Sequence, residues 1–272
     1  MSRKNWTYEK VFHRLLTNKS KSTYWNNISE LRKRPNQEVY TMAYNLTKSK
    51  HFYEKIIGIN VLAQLGFNPR LNPKKTVKRY IEMLSEELNV NVLEAILYAI
   101  GHNSEVLKKD AIRELVTFKN HRYSDIRYAL AFALSNVEDE ISIETLIELS
   151  KDKHSEVRDY ATFSLGSQIE VTNDAIINAL LDRIDDESSR FEAIAGLAKR
   201  KHLKVKKALI EELENIDEYG SLILESIVDF NDPDFIILLE KQIELNKINQ
   251  NVKEKWLVDS LNKLNENLIL QS

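Results

Sequence analysis

Residues 154–166, HSEVRDYATFSLG, carry the pattern on which the chain is built. Val157, Ala161, Ser164 and Leu165 fall at i, i+4, i+7 and i+8, the apolar stripe of an amphipathic helix. Most of these side chains are small, so a second helix can approach closely. Ser155 is placed to cap the helix start, and Glu156 lies in the first turn, where the helix dipole favours an acid. Gly166 stands where the helix is expected to stop. Residues 143–149, IETLIEL, carry a second apolar stripe, and the short turn SKDKH joins the two. The pair forms a helical hairpin that cannot bury its apolar faces alone.

The pattern recurs on both sides. EKIIGINVLAQLG, NVNVLEAILYAIG, SDIRYALAFALS, SSRFEAIAGLA and YGSLILESIV align with it without internal gaps, ending at Gly66, Gly101, Ser135, Ala198 and Val228. With Gly166 included, the spacings are 35, 34, 31, 32 and 30 residues. A period in this range means stacked supersecondary units that share a core between neighbours. Extended outward, it predicts about eight helical pairs. Helices over 7–18 and 22–34 make the first pair, closed by Pro35, with Trp6, Phe12 and Trp25 as candidates for covering the first repeat. Helices over 232–245 and 251–268 close the chain, with Trp256 as a capping residue. The loop 67–75, FNPRLNPKK, is the longest connection, and the repeat phase continues across it.

A hydrophobic–Arg pair, a ladder of small residues and a small terminal residue resemble the HEAT-repeat family in its short bacterial, bilin-lyase-type form. The match is strongest at Ile126-Arg127, Val157-Arg158 and Ser189-Arg190, and Leu93, Gly58 and Gly220 replace the arginine in the outer repeats. The resemblance covers most of residues 36–230. It implies an all-α fold, an α-α superhelix (HEAT-like solenoid) of about eight antiparallel helical pairs. One domain is expected over 1–272, with capping pairs at 1–35 and 231–272 around the repeats at 36–230. The resemblance also implies a structural ladder of Arg127, Arg158 and Arg190, bound to turn acids or carbonyls. Asp125, Asp152 and Asp186 are the candidate partners, since the guanidinium offers a planar fork to a carboxylate. A row binding a polyanion is the alternative, opposed by the interleaved acids.

Composition narrows the classes. Apolar residues at 43% and charged residues at 29%, with only six Gly and four Pro, describe a helical globular protein. The absence of Cys removes disulfides, thiolate metal sites and thiol nucleophiles, and suits a reducing cytoplasm. The charged start MSRKNWTYEK is not followed by an apolar stretch, so no signal peptide is expected, and no run is long enough to span a bilayer. The net charge of −2 hides an asymmetry: residues 1–80 hold 17 bases and four acids, a net of +13, and the remainder holds 22 bases and 37 acids, a net of −15. That split suggests an anionic partner for residues 1–80, nucleic acid included, against the plainer reading of a solvated surface. The runs RKR at 32–34 and KRK at 199–201 are short enough to be ordinary surface.

Candidate binding residues lie off the buried stripe. Phe163 stands about 200° around the helix from Ala161. Tyr98 and Phe132 occupy the equivalent position, and one turn earlier come Glu94, Tyr128, Asp159 and Phe191. In HEAT-like solenoids the second helix of each pair lines the concave face. The resemblance therefore places Tyr98, Tyr128, Phe132, Phe163 and Phe191 in one groove, edged by Glu94 and Asp159. Exposed aromatics in register would form an interaction site, whereas tight curvature would bury them between helices. Six scattered His residues form no metal spacing, and no phosphate-binding or nucleophile-elbow motif is present, so no catalytic residue, metal or cofactor is expected.

Two readings of function follow. The first is a non-enzymatic cytoplasmic scaffold that binds a protein or peptide through the aromatic–acidic groove. The second is a nucleic-acid-binding repeat protein using the basic residues 1–80, with an activity like that of helical-repeat DNA glycosylases as one form of it. A bilin-lyase activity rests on the repeat type alone.

Overall fold

A computed structural model describes residues 3–17 and 20–271. Asn18, the expected end of the first helix, and residues 1, 2 and 272 of the expected domain lie outside the described residues. Among the described residues there are sixteen α-helices and no strand. The chain divides into two compact units, residues 1–142 and 143–272.

In the first unit the helices are α1 (Tyr8–Thr17), α2 (Lys21–Arg32), α3 (Gln37–Leu46), α4 (Phe52–Ala63), α5 (Pro73–Leu84), α6 (Val90–Gly101), α7 (Lys109–Leu115) and α8 (Ser124–Leu134). The Asn36 side chain caps α3 by accepting from Val39 N at 2.9 Å, Asn89 caps α6 through Asn91 N and Val92 N, and Pro73 opens α5. α2, α4, α6 and α8 pack successively on one another, with α3 laid against α4 and α5 against α6. Their apolar stripes (Ile57, Val61, Val92, Ile96, Ile126 and Leu130 among them) are fully buried. Of the residues expected to cover the first repeat, Phe12 is fully buried and Trp25 is 48% exposed. Between α6 and α8 the helical stretch is divided. Leu107 and Lys108 are extended, so a 3-10 turn precedes α7 and another, Val116–Asn120, follows it.

The basic run at 32–34 is not plain surface. Arg32 donates to Asn60 O (2.6 and 2.9 Å) and to Gln64 Oε1 (2.9 Å), and Arg34 donates to Trp6 O and Arg3 O. These carbonyls end helices or lie in turns, where a helix leaves acceptors unmet.

α9 (Glu140–Leu149) begins in the last residues of the first unit, and the second unit contains α10 (Ser155–Phe163), α11 (Asp174–Leu181), α12 (Arg190–Lys199), α13 (Lys206–Glu214), α14 (Ser221–Phe230), α15 (Asp234–Asn249) and α16 (Glu254–Gln271). α10, α12, α14 and α16 pack in succession, and α13 lies against α15. Gly166 does not stop α10 in a left-handed turn. The chain continues from α10 into a π-turn, Ser164–Gln168, and Gly166 lies within it. Its value is close approach: a Cβ on Gly196 would stand 2.5 Å from Gly166 Cα. Arg200 fastens this contact, donating to Gly166 O (2.7 Å), Gly196 O (3.0 Å), Leu165 O (2.9 Å) and Ile169 O (2.6 Å). The second basic run is thus also partly structural. Among the described residues no helix is long and apolar enough to cross a membrane, and no group of three or more His, Asp or Glu could hold a metal ion.

Candidate functional site

The arginine ladder is one backbone device used three times. Arg127 donates to His121 O (2.7 Å), Arg158 to Asp152 O (2.9 Å) and Arg190 to Ile184 O (2.6 Å). Each reaches the carbonyl six residues before it and closes the turn entering its own helix. Arg158 also pairs with Asp186 at 2.7 Å and reaches Ser188 Oγ, and Arg190 pairs with Glu212. Burial disfavours a charged Asp186, but hydrogen bonds from Arg158 and Ser188 outweigh it and hold the carboxyl well below the usual range.

In the first unit, Tyr98, Tyr128 and Phe132 come together from α6 and α8. The Tyr98 ring lies 5.2 Å from Phe132 and 6.4 Å from Tyr128. Phe132 lies across Gly101, whose missing Cβ makes room for it, and meets His102 edge-on at 5.3 Å. The three rings are half-buried against one another. His102 also meets Gln64 Nε2 at 2.9 Å, and burial with nearby Arg32 and Arg70 lowers its pKa to about 4. Burial, aided by Asp125, raises the Glu94 pKa.

In the second unit, Phe163 is half-buried against Tyr160, with ring centres 5.5 Å apart. Asp159 on α10 and Phe191 on α12 line a common cavity of about 490 Å³. Ser188, Glu192, Glu212, Asp217, Tyr219 and Ile223 share its wall. Phe191 is 48% exposed and Tyr219 80% exposed. Burial and the Asp159 charge push the Glu192 carboxyl up to about 7. Burial and Asp186 raise Asp159 in the same direction. The close Gly166–Gly196 contact brings these helices near enough for the two acids to feel each other.

Sequence reasoning singled out Asp159 and Phe191 as candidates and passed over Glu192 and Tyr219, which line the same cavity. Glu192 had a readable signal. Its aligned positions are Ala95, Ala129, Tyr160 and Leu222, so a carboxylate breaks an otherwise uncharged row. Tyr219 carried none, because it lies in the turn before α14, outside the helical register.

Stacked helical pairs with small-residue contacts, a repeated turn-closing arginine and a period near 30–35 residues define an all-α HEAT-like repeat protein, an α-α solenoid by class. Residues 126–152 match the family model described as the PBS lyase HEAT-like repeat. The chain is similar to protein YibA of Escherichia coli strain K12, 26% identical over 224 residues, which are 78% of this chain and 77% of that protein. YibA of Escherichia coli O157:H7 is similar to the same extent. The X-ray structure of Escherichia coli YibA shares the fold, with a TM-score of 0.73 and 21% identity, covering 96% of this chain and 93% of that chain.

Proposed function

We propose that the protein is a non-enzymatic cytoplasmic scaffold that binds a protein or peptide partner through an aromatic–acidic groove on its second helices. The observation that carries this reading is the cavity of the second unit. There Asp159 and Phe191, one repeat apart in register, stand beside the exposed Tyr219. Solvent-facing aromatics in a concave site are the anchors that interfaces use most. In the first unit the same reading gives partner contact to Tyr98, Tyr128 and Phe132, edged by Glu94. The reading also assigns Phe163, packed on Tyr160, to this groove. The structural use of Arg127, Arg158 and Arg190 argues against a polyanion-binding row. No cofactor enters this reading.

The test is capture of partners from bacterial lysate by the tagged full chain, with nuclease present throughout. Phe191→Ala with Tyr219→Ala should leave the helical circular dichroism and the melting temperature nearly unchanged, because both rings are exposed. Capture should fall at least tenfold. Retention of every partner by that variant would sink the groove as the binding site.

A further inference from the structure

The cavity of the second unit holds two carboxylates that the described chain leaves without a cation. Asp159 and Glu192 are both half-buried, and neither side chain has a hydrogen bond or ion pair among the described residues. The cations nearest in sequence are turned elsewhere. Arg158 is engaged by Asp186, Ser188 and Asp152 O, and Arg190 by Glu212, Glu211 and Ile184 O. Partly buried carboxylates in folded proteins are normally paired or protonated, because desolvation penalises a lone charge. Here the pair opens onto a cavity that also presents the rings of Phe191 and Tyr219. Ile216, Leu222 and Ile223 supply an apolar wall.

These parts answer one ligand chemistry. A cationic head can lie between carboxylates and aromatic faces, and its methylene stem can lie along the aliphatic wall. We propose that this cavity captures a lysine or arginine side chain from a basic segment of a partner protein. The proposal rests on the groove reading above and names the chemistry of its occupant. Its volume of about 490 Å³ admits one long side chain with its flanking backbone.

A protonated Glu192 offers the cation no charge, so capture should draw on the ionised form. The titratable groups facing Glu192 in the cavity are Asp159 from α10, Glu212 from α13, held by Arg190, and Asp217 and Tyr219 from the turn before α14. With the Glu192 carboxyl at about 7, affinity should rise about tenfold from pH 6 to pH 8 as the competent fraction grows.

The experiment is fluorescence anisotropy of the full chain with a labelled peptide alternating Gly and Lys, and with its Gln-for-Lys counterpart. The Lys peptide should bind at least tenfold tighter than the Gln peptide. Asp159→Asn with Glu192→Gln should remove at least tenfold of that affinity and flatten its pH profile, while the remote Glu240→Gln should change nothing. No binding of the Lys peptide, or binding indifferent to the double variant, overturns the proposal. So does a concentration-dependent dimer abolished by the double variant, which would make a second copy of this chain the occupant. The two readings also separate in partner capture. Loss with Phe191→Ala and Tyr219→Ala, but not with Asp159→Asn and Glu192→Gln, keeps the groove and rejects the cation. Indifference to both pairs rejects the groove itself.

Discussion

Glu192 is held in a state that costs stability. Its carboxyl is raised from about 4.5 to about 7, by burial first and the Asp159 charge second. A group whose folded pKa is raised adds stability below its unfolded pKa, and that stability is lost as pH climbs through the folded value. For this residue the window runs from about pH 4.5 to about pH 7. Glu192→Gln should therefore match the parent near pH 5 and exceed it at pH 8 by on the order of 2 kcal/mol. Urea unfolding at pH 5, 6, 7 and 8 measures the difference; a variant less stable than the parent at pH 8 would show the carboxylate to be satisfied. Asp186 has the opposite sign. Its depressed carboxyl adds stability above the usual Asp range, and that contribution falls away on acidification. One acid thus closes a turn, and another, one helix later, is kept at a cost that packing does not explain. Retained cost of this kind is characteristic of binding sites.

At the scale of the element, what decides the site is how closely α10 and α12 approach. Gly196→Ala would set a methyl 2.5 Å from Gly166 Cα, inside contact distance of backbone that cannot rotate away. It should destabilise the protein by about 2–3 kcal/mol, read as a lower urea midpoint. Arg200→Met keeps the stem but removes the donors that serve four carbonyls, and should cost about 3 kcal/mol. Lysine at the same position has one head in place of the fork and should recover only part of this. The helical period was legible along the chain because each second helix repeats one apolar stripe, as the segment NVNVLEAILYAIG does in α6. The arginine ladder was legible as a register, though its bonds go to the repeat's own turn as well as to the next repeat's acids. Gly166 was misread, since a glycine before a turn has the same sequence signature whether it supplies a left-handed cap or a bare surface. Arg32, Arg34 and Arg200 were hidden for a related reason. Which carbonyls a guanidinium can reach is set by packing between repeats, not by its neighbours in the chain. The site was half legible: Asp159 and Phe191 lie in the helical register, and Tyr219 does not.

For the whole molecule the question is whether the charge split between residues 1–80 and the rest marks a nucleic-acid surface. Of the 17 bases in residues 1–80, several are already engaged. Arg3, Arg32, Arg34 and Arg79 donate to side chains or carbonyls, and Lys55 pairs with Glu87 at 2.6 Å. Lys10 lies over Trp6, and Lys48 and Lys75 over Tyr44. Lys4, Lys21, Lys33, Lys50, Lys74 and Lys78 are exposed without such partners. They come from different helices and turns. Each phosphate contact lowers log K by about 0.9 per decade of salt, so contacts from these six alone would give a slope of about −5. The expected slope is about half that. Affinity for duplex DNA at physiological salt should be no tighter than the roughly micromolar range of non-specific binding. Anisotropy titration of the full chain against a labelled duplex at 50, 100 and 200 mM salt, roughly the span over which such contacts are resolved, decides the matter. Submicromolar binding with a slope steeper than about −5 would move the function to nucleic acid and leave the acidic cavity unexplained. Weak, shallow binding leaves residues 1–80 as a charged surface fastened by its own arginines, with Asp159, Glu192, Phe191 and Tyr219 as the place to look for a partner.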